Sequence, residues 1–410
     1  MIFLYNLGIR TYYLLALITS LFKPKARLWV KGRKNVFKQL KSELETEKKY
    51  CWFHASSLGE FEQGRPIIEE IKKTYPEMGV VLTFFSPSGY EIRKNYTGAD
   101  IICYLPLDTR RNAQRFMKLV KPKWCFFIKY DYWFHFLKQA KKSGSKIFLV
   151  SGIFRKKQLF FKSYGNWYRK LLNQFDHLFI QNNESASLLE SIGIKNYTVS
   201  GDSRFDRVVQ IAEKSKNIEA AEQFSKDNFT LVCGSTWEPD ENNLFKLLEI
   251  GDKLKLIIAP HEINNAHINN IVSKLKVPCV LFSKSENLKE VLEAKVLIID
   301  NIGMLSSVYK YGQMAYIGGG FGAGIHNTIE AAVYGIPVIF GPNYQKFQEA
   351  RDLISNGGGF SYSNPEELNS LIKKYISDTP NLEKSGKAAF EYVNKMKGAT
   401  KLIIDFLNKI

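Results

Sequence analysis

Residues 313–342 read QMAYIGGGFGAGIHNTIEAAVYGIPVIFGP, and this stretch indicates the fold of the second half of the chain. An apolar run at 314–317 enters a glycine-rich turn, after which Asn327 opens a helical pattern. Glycine lets the backbone approach a ligand closely, and a helix amino end offers free N–H groups to a phosphate. Because the glycines lack the dinucleotide-binding spacing, the pattern favours a nucleotide monophosphate or a nucleotide sugar. Asn327 and Glu330 are also spaced as a helix cap and its capping-box glutamate, which is a purely local role.

The same alternation of short apolar runs with amphipathic segments extends through most of the chain. The predicted strands lie at residues 50–54, 80–85, 101–105, 124–128, 147–150, 178–180, 229–233, 255–259, 277–282, 296–299, 314–317 and 337–340. Such runs, separated by helical patterns, are typical of parallel sheets that helices cover on both faces. The sequence therefore predicts an α/β protein with two doubly wound, Rossmann-like domains facing a cleft at the carboxyl ends of their strands.

This pattern divides the chain into a series of segments. We expect a membrane anchor with its basic flank at 1–34, a Rossmann-like domain at 35–206, a linker at 207–228, a second Rossmann-like domain at 229–399 and a carboxyl-terminal helix at 400–410. The last helix is amphipathic, and we expect it to pack back across the hinge.

Composition limits the class of protein. Of the 410 residues 45% are apolar and 24% are charged, which excludes wholesale disorder. The apolar runs are of strand length, which excludes a polytopic membrane protein. A surplus of 58 basic over 40 acidic residues gives a net charge of +18, which favours an anionic partner. The cysteines are far apart and form no C-x-x-C, so we expect buried reduced thiols rather than a zinc site or disulfides.

The amino terminus, MIFLYNLGIRTYYLLALITSLF at residues 1–22, predicts a membrane anchor. Asn6 and Arg10 interrupt it, so the apolar run is shorter than the roughly 20 residues that cross a bilayer. Six basic residues between 23 and 34 suit the anionic cytoplasmic leaflet. The helix either spans at a tilt or lies in the interface, and the alternative is an amphipathic helix docked on the protein itself.

In the first half, HASSLGE at residues 54–60 follows the first strong strand. Gly64 and Pro66 predict that the main helix begins near Pro66, which leaves Glu60 in a short turn at the strand's carboxyl end. A carboxylate placed there can act as a general base for an attacking hydroxyl. Ser57 and Glu60 also have the spacing of a capping box, and His54 is expected to be a packed strand-end residue.

Polar residues follow other predicted strands in the same way. Asp131 lies in KYDYW after the strand at 124–128, and Arg204 lies in GDSRFD. Pro260 and His261 follow the strand at 255–259. Each segment points to the same edge of its sheet, although each also fits an ordinary polar turn.

Taken together, HASSLGE, TFFSPSGYE, KYDYW, GDSRFDR, CGSTWEPDE, APHE, NIGML and GIHNTIEAA occur in the order seen in the 3-deoxy-D-manno-octulosonic acid (Kdo) transferases, which the sequence resembles over nearly its whole length. The resemblance implies a GT-B-type fold, a CMP-Kdo donor and a lipid A precursor (lipid IV-A) as acceptor, in the inner core synthesis of lipopolysaccharide. It also implies attachment to the cytoplasmic side of the inner membrane, and no metal or other cofactor.

The resemblance also implies roles for individual residues. Glu60 matches the family's catalytic base, which deprotonates a hydroxyl of the acceptor. Asp131 and Arg204 match positions that stabilise the transition state, although the family usually has Glu and Lys there and an acid at Lys129. The positions that match CMP contacts are Pro260, His261, Gly303, Met304, Leu305, Asn327, Thr328, Ile329 and Glu330.

Two other functions compete with this one. The glycine-rich turn alone fits another GT-B-type nucleotide-sugar transferase or a sugar epimerase. A basic nucleic-acid-binding protein attached to a membrane is less favoured, because the aromatic residues lie largely in predicted strands and no recognised nucleic-acid-binding motif occurs. We therefore expect an anionic membrane surface, and no nucleic acid, as a partner.

Overall fold

The computed structural model describes residues 1–251 and 253–410, which form two compact units. Unit 1 combines Met1–Arg207 with Lys397–Ile410, and unit 2 is Val208–Met396. The segment at 207–228, predicted as a linker, contains helical residues, and the boundary between the units falls inside a helix.

The helices and strands are given in chain order. The first half of the chain contains α1 (Ile2–Ser20), α2 (Pro24–Gly32), α3 (Val36–Glu43), β1 (Tyr50–Ala55), α4 (Leu58–Thr74), β2 (Gly79–Phe84), α5 (Pro87–Arg93), β3 (Ile101–Tyr104), α6 (Arg110–Val120), β4 (Trp124–Ile128), α7 (Phe134–Lys142), β5 (Lys146–Gly152), α8 (Asn166–Leu172), β6 (His177–Ile180), α9 (Asn183–Glu190), β7 (Tyr197–Val199) and α10 (Arg204–Glu213). The second half contains α11 (Glu219–Ser225), β8 (Phe229–Thr236), α12 (Glu238–Leu247), β9 (Leu254–Pro260), α13 (Asn265–Lys274), β10 (Cys279–Leu281), α14 (Leu288–Glu293), β11 (Val296–Ile298), α15 (Leu305–Val308), β12 (Met314–Ile317), α16 (Ile329–Ala332), β13 (Val338–Phe340), α17 (Gln348–Asn356), β14 (Gly359–Ser361), α18 (Pro365–Ser377), α19 (Thr379–Met396) and α20 (Ala399–Leu407).

Unit 1 is built on a seven-stranded parallel sheet with the strand order β3-β2-β1-β4-β5-β6-β7. The direction of winding reverses between β1 and β4, which pair from Cys51 with Trp124 to His54 with Phe127. In open α/β sheets such a reversal leaves a crevice at the carboxyl ends of the two strands, where ligands bind. This crevice therefore lies beside Ala55 and Ile128.

The sheet of unit 1 is covered on both faces, which explains why its strands are nearly continuous apolar runs. Trp52 points to one face and packs on Phe116, whereas Phe53 points to the other and stacks on Phe126 at 4.4 Å between ring centroids. The second face also buries the apolar side of α20, including Ile403. The carboxyl-terminal helix is thus a layer of unit 1.

The described residues of unit 2 form a second parallel sheet, with the order β10-β11-β9-β8-β12-β13-β14. Here the winding reverses between β8 and β12, which pair from Leu231 with Met314 to Gly234 with Ile317. The two doubly wound α/β domains predicted from the apolar runs are confirmed. The sequence missed β7 and β14, which are three-residue edge strands with little burial to mark them.

The prediction that the helix after β1 begins near Pro66 is wrong. Helix α4 begins at Leu58, and it contains Glu60 in its first turn and Pro66 in its interior. A proline removes a single N–H from the helix, and the burial of Phe61, Ile67 and Ile68 against the sheet outweighs that loss.

Helix α1 is docked on unit 1 by one face only. The Tyr5 hydroxyl donates to the buried Asp108 carboxylate, and the Asn6 amide oxygen lies 2.7 Å from His135 Nε2. The ring of Tyr12 packs on Trp29 of α2 at 5.4 Å. Its length and composition are those of a membrane-spanning helix, and none of its apolar window is buried. Its exposed large apolar residues include Phe3, Leu7, Leu14, Leu15 and Ile18.

The cysteines are all reduced in the described residues, as predicted. Cys51, Cys103, Cys125 and Cys233 are buried, and Cys279 is half-buried. Burial raises the pKa of the Cys103 thiol to about 12, so the reactive thiolate is disfavoured there.

Candidate functional site

Glu60 is placed at the switch point of the unit 1 sheet, directly after β1. The Ser57 hydroxyl donates to Glu60 Oε2 at 2.9 Å, and the Phe61 amide donates to the Ser57 carbonyl at 3.0 Å. In the described part of the chain, the Ser57 side chain does not cap a helix N–H, so the capping box predicted from Ser57 and Glu60 is not formed. The Glu60 carboxylate is half-buried in the first turn of α4.

Asp131 follows β4, on the other side of the same switch point. The Ser56 hydroxyl donates to Asp131 Oδ1 at 2.6 Å, and Asp131 is 8% exposed. Burial, and secondarily the negative charge of Glu60, raise the pKa of Asp131 well above its usual value. The two carboxyl groups are therefore close enough to interact, and the neutral form of Asp131 is favoured.

His54 is a structural residue of this site. Its Nδ1 lies 2.9 Å from Thr83 Oγ1 and 3.2 Å from the Thr83 carbonyl, while its Nε2 accepts from Trp133 Nε1 at 2.9 Å. Burial lowers the pKa of His54 to about 3. The imidazole is neutral with its proton on Nδ1, so its approach to 3.5 Å from Asp131 is not an ion pair.

Arg204 begins α10 and is held by Asp202. Its Nε and Nη2 each lie 2.9 Å from Asp202 Oδ2, which also accepts from Gln63 Nε2 at 3.0 Å. Burial alone would raise the pKa of Asp202, but the Arg204 cation and its hydrogen bonds lower it. Burial raises the pKa of Tyr130, and both Glu60 and Arg204 lie near enough to affect it. Unit 1 thus brings Glu60, Asp131 and Arg204 together.

A cavity of about 1080 Å³ opens beside Asp131 in unit 1. The residues that line it come from α1, from the loops after β4 and β5 and from α8, and include Leu4, Tyr5, Tyr132, Arg155, Lys157, Phe160 and Trp167. Two polar atoms at this cavity, Asp131 Oδ2 and the Tyr132 hydroxyl, have no hydrogen-bond partner among the described residues. The cavity therefore combines apolar walls, two cations and polar groups that are free to bind a ligand.

In unit 2 the glycine-rich turn after β12 has a more local explanation than the sequence suggested. A Cβ on Gly318 would lie 2.2 Å from the Ser235 carbonyl oxygen, and one on Gly320 would lie 2.6 Å from Gly341 Cα. These two glycines allow neighbouring strand ends to approach one another. Gly319 has a φ of 91°, a backbone conformation that favours glycine, and its N–H donates to Asp240. The turn therefore requires a glycine at this position.

Asp240, which the sequence analysis did not single out, organises this edge of unit 2. Its buried carboxylate accepts hydrogen bonds from Trp237 N at 2.9 Å, Gly319 N at 2.9 Å and the Tyr316 hydroxyl at 2.7 Å. The available signal was the run STWEPD directly after β8. Asp240 fixes the end of β8 to the glycine turn after β12.

His261 stacks against two other rings at the carboxyl ends of these strands. Its ring centroid lies 4.6 Å from Trp237 and 4.5 Å from His326, with interplanar angles of 27° and 26°. Trp237 Nε1 donates to His326 Nε2 at 3.1 Å. The stack brings the predicted segment at Pro260 and His261 next to the one that begins at Asn327.

The expectation that Asn327 opens a helix is wrong by two residues. Helix α16 begins at Ile329 and is only four residues long, and its flanking residue is Thr328. The Asn327 amide donates to Glu330 Oε1 at 2.8 Å, and its oxygen accepts from Ile329 N at 3.3 Å. Asn327 therefore forms a tight turn directly before α16.

The segment containing Gly303, Met304 and Leu305 reaches the same edge of unit 2. Gly303 has a φ of 93° and turns the chain into α15, which begins at Leu305. A Cβ on Gly234, near the end of β8, would lie 2.9 Å from Leu305 Cδ1. Burial raises the pKa of Tyr309, which follows α15, and the charge of Glu330 raises it further. The predicted CMP-contacting residues of unit 2 thus converge.

Comparison with known proteins finds relatives of this chain. The family model described as 3-deoxy-D-manno-octulosonic-acid transferase (kdotransferase) matches residues 31–207. A 3-deoxy-D-manno-octulosonic acid transferase of Aquifex aeolicus is 28% identical over 368 residues, which is 87% of this chain and 95% of that protein. Residues 31–207 thus match a Kdo transferase domain, and the chain is similar to Kdo transferases over most of its length. Another transferase of that name, from Haemophilus influenzae, is 23% identical over 87% of this chain and 86% of its own.

Solved structures support the fold of the chain. A UDP-GlcNAc 2-epimerase from Neisseria meningitidis aligns with a TM-score of 0.62 at 16% identity, covering 88% of this chain and all of that one. An Anabaena protein solved with UDP and glucose aligns with a TM-score of 0.52 at 11% identity. At such identities the likeness shows the GT-B-like fold alone.

The described residues contain no group of three or more His, Cys, Asp or Glu side chains that is placed to hold a metal ion. The acidic residues of unit 1 are engaged with Ser56, Ser57 and Arg204 instead.

Proposed function

We propose that this chain is a glycosyltransferase that moves Kdo from CMP-Kdo to lipid IV-A, with Glu60 as the general base. The observation that carries the proposal is the placement of Glu60 and Asp131 at the switch point of unit 1, where the Ser57 and Ser56 hydroxyls donate to them. The similarity to Kdo transferases supports Kdo as the transferred sugar and CMP-Kdo as the donor.

In the proposed reaction, Glu60 takes the proton of an acceptor hydroxyl as that oxygen forms a bond to the anomeric carbon of Kdo. The bond between that carbon and the phosphate oxygen breaks, and CMP leaves with the electron pair. The Ser57 hydroxyl holds the Glu60 carboxyl group just after β1, where a carboxylate can accept that proton. Arg204 and Asp131 stabilise the charge that develops, as a fixed cation and a hydrogen-bond donor.

Two replacements in this chain change the geometry of that stabilisation. Asp131 is one methylene shorter than Glu, and the Ser56 hydroxyl holds its carboxyl group at the end of β4. Arg204 presents a planar fork instead of an ammonium, and Asp202 occupies two of its donors. The transition-state role is therefore proposed for the guanidinium in the orientation that Asp202 gives it.

The acceptor is proposed to occupy the 1080 Å³ cavity beside Asp131. Lipid IV-A carries sugars, phosphates and acyl chains, and the cavity offers aromatic walls together with Arg155 and Lys157. Leu4 and Tyr5 of α1 form part of its wall, so the helix that would attach the protein to the membrane also borders the acceptor site. This arrangement lets a lipid-linked substrate enter from the bilayer.

The donor is proposed to bind in unit 2, with CMP held by Pro260, His261, Gly303, Met304, Leu305 and Asn327 through Glu330. The convergence of these segments around β8 supports the assignment. Glu330 is positioned by Asn327 and has a carboxylate suited to ribose hydroxyls.

We propose further that the protein is attached to the cytoplasmic face of the inner membrane through α1, lying in the interface. The docked face of the helix, with Tyr5, Asn6 and Tyr12, argues against a bare spanning helix, while its opposite face exposes apolar side chains. The basic residues from Lys23 to Lys34 suit anionic headgroups.

Incubation of the purified chain with CMP-Kdo and lipid IV-A, followed by mass spectrometry of the lipid, tests the reaction. We expect the mass of the lipid to increase by one or more Kdo units. UDP-GlcNAc with the same lipid is the control donor, and transfer from UDP-GlcNAc without transfer from CMP-Kdo would contradict the proposal.

A further inference from the structure

A second cavity, of about 420 Å³, lies between α1, α2 and the loop after β2. Its size falls within the range of about 300–1,000 Å³ that is usual for ligand sites. Apolar side chains line it from three elements: Leu15 and Ala16, Trp29, Phe85 and Pro87. We call this cavity the α1–α2 groove, and neither the transfer chemistry nor the proposed acceptor site uses it.

The α1–α2 groove is lined by two lysines and by a tryptophan with an indole N–H, besides hydroxyl side chains. Lys23 and Lys25 line it and are exposed to solvent. Trp29 is 5% exposed, and within residues 1–251 and 253–410 its indole Nε1 has no hydrogen-bond partner. An apolar channel with cations and one unsatisfied N–H matches a molecule that has a hydrocarbon chain, an ester carbonyl and a phosphate.

The inner wall of the groove is rigid. The Arg33 guanidinium lies 3.7 Å from the centre of the Trp29 ring and donates to the Trp29 carbonyl at 2.9 Å and the Phe85 carbonyl at 2.7 Å. Because these bonds fix both rings from behind, the groove is held open by the fold and does not depend on a ligand to form it.

The position of the groove identifies the source of the ligand. Leu15 lines the groove and is 56% exposed, and Leu14 and Ile18 beside it belong to the exposed apolar face of α1. The groove is therefore continuous with the surface that is proposed to lie in the membrane interface.

We propose that the α1–α2 groove binds one phospholipid of the bilayer, with an acyl chain along Ala16 and Trp29 and the phosphate against Lys23 and Lys25. This inference rests on the proposed membrane attachment. The groove also shares a wall with the catalytic cavity, since Phe85 stacks on Trp133 at 4.8 Å and Trp133 lines the cavity beside Asp131. A bound lipid would hold that shared wall in place.

Native mass spectrometry of the full-length chain, stripped of lipid in detergent and then given limiting dioleoyl phosphatidylglycerol, tests the site. We expect one phosphatidylglycerol to be retained by the natural chain. Ala16→Trp fills the groove and should abolish that retention. Leu14→Trp adds the same ring to the exposed face of α1 and should retain the lipid.

A second experiment distinguishes binding of the lipid headgroup from binding of the acyl chain. It does not depend on whether Ala16→Trp folds. Lys23→Gln with Lys25→Gln should weaken phosphatidylglycerol binding by about fivefold per lysine, with no effect on dioleoyl glycerol, which lacks phosphate. Inorganic phosphate alone should not displace the lipid. Equal lipid retention by Ala16→Trp and Leu14→Trp would overturn the proposal. Displacement of phosphatidylglycerol by one equivalent of lipid IV-A would also overturn it, because the groove would then be part of the acceptor site. The readout counts bound lipid, so failure here leaves the separate transfer assay unaffected.

Discussion

The Ser56 hydroxyl donates a 2.6 Å hydrogen bond to the Asp131 carboxyl and thereby ties the end of β1 to the end of β4. These are the two strands between which the winding of the first sheet reverses. The bond leaves Asp131 Oδ2 without a partner among the described residues, beside the 1080 Å³ cavity. One short contact thus sets the position of a neutral acid next to Glu60.

The pH dependence of stability tests whether Asp131 is protonated. Because its pKa is raised in the folded chain, the folded state keeps a proton that the unfolded state releases above about pH 4. The contribution of this group to the free energy of unfolding therefore falls as the pH rises from about 4 towards its folded pKa. Asp131→Asn cannot ionise, so its stability relative to the natural chain should increase over that range in urea titrations. Asp405→Asn, a substitution at an exposed position on α20, should show no such trend. If the difference in unfolding free energy between Asp131→Asn and the natural chain stays constant with pH, Asp131 is ionised in the folded chain.

The hydroxyl of Tyr5 is predicted to hold α1 on unit 1. Tyr5→Phe leaves the buried Asp108 with hydrogen bonds only from the amides of His135 and Phe136, both at 3.0 Å. The cost should be about 1–3 kcal/mol, seen as faster proteolytic cleavage after α1. Tyr13→Phe removes a hydroxyl from the same helix without touching Asp108 and serves as the control. Equal cleavage rates in the two variants would contradict this docking role.

Trp237 is predicted to support the CMP site by holding His261 in the ring stack. Trp237→Ala removes a ring 4.6 Å from His261 and should weaken CMP binding by about two- to tenfold in calorimetry. Phe390→Ala, which removes an aromatic ring at an exposed position on α19, should leave CMP affinity unchanged. Unaltered affinity in Trp237→Ala would show that the stack is not needed for the donor.

A substitution of Glu330 distinguishes a role in CMP binding from a role in local structure. If it contacts the ribose, Glu330→Ala lowers CMP affinity by more than the loss of its bond to Asn327 lowers stability, which is about 0.5–1.5 kcal/mol. Paired measurements of CMP affinity and of the unfolding free energy provide the comparison. If Glu330→Ala loses stability but keeps full CMP affinity, Glu330 serves only to form the turn with Asn327 and does not bind CMP.

The sheets and the strand-end clusters could be predicted because burial on both faces leaves a strong apolar signal in each long strand. The convergence of Glu60 with Asp131 followed from the geometry of parallel strands. The course of α4 through Pro66 could not be predicted, since it depends on how much apolar surface that helix buries on the sheet. The contact of Tyr5 with Asp108, 103 residues apart, and the Trp237 stack arise only when distant segments meet.

The measurement that tests the account most directly is Kdo transfer by Glu60→Gln. The amide keeps the size of the side chain and can still bond to Ser57, but it cannot accept a proton. We expect transfer from CMP-Kdo to lipid IV-A to fall by about 10²–10⁴-fold while CMP affinity stays within twofold of the natural value. Glu70→Gln, on the outer face of the same helix, should transfer at the normal rate. Transfer by Glu60→Gln at more than about a tenth of the natural rate would contradict its role as the base.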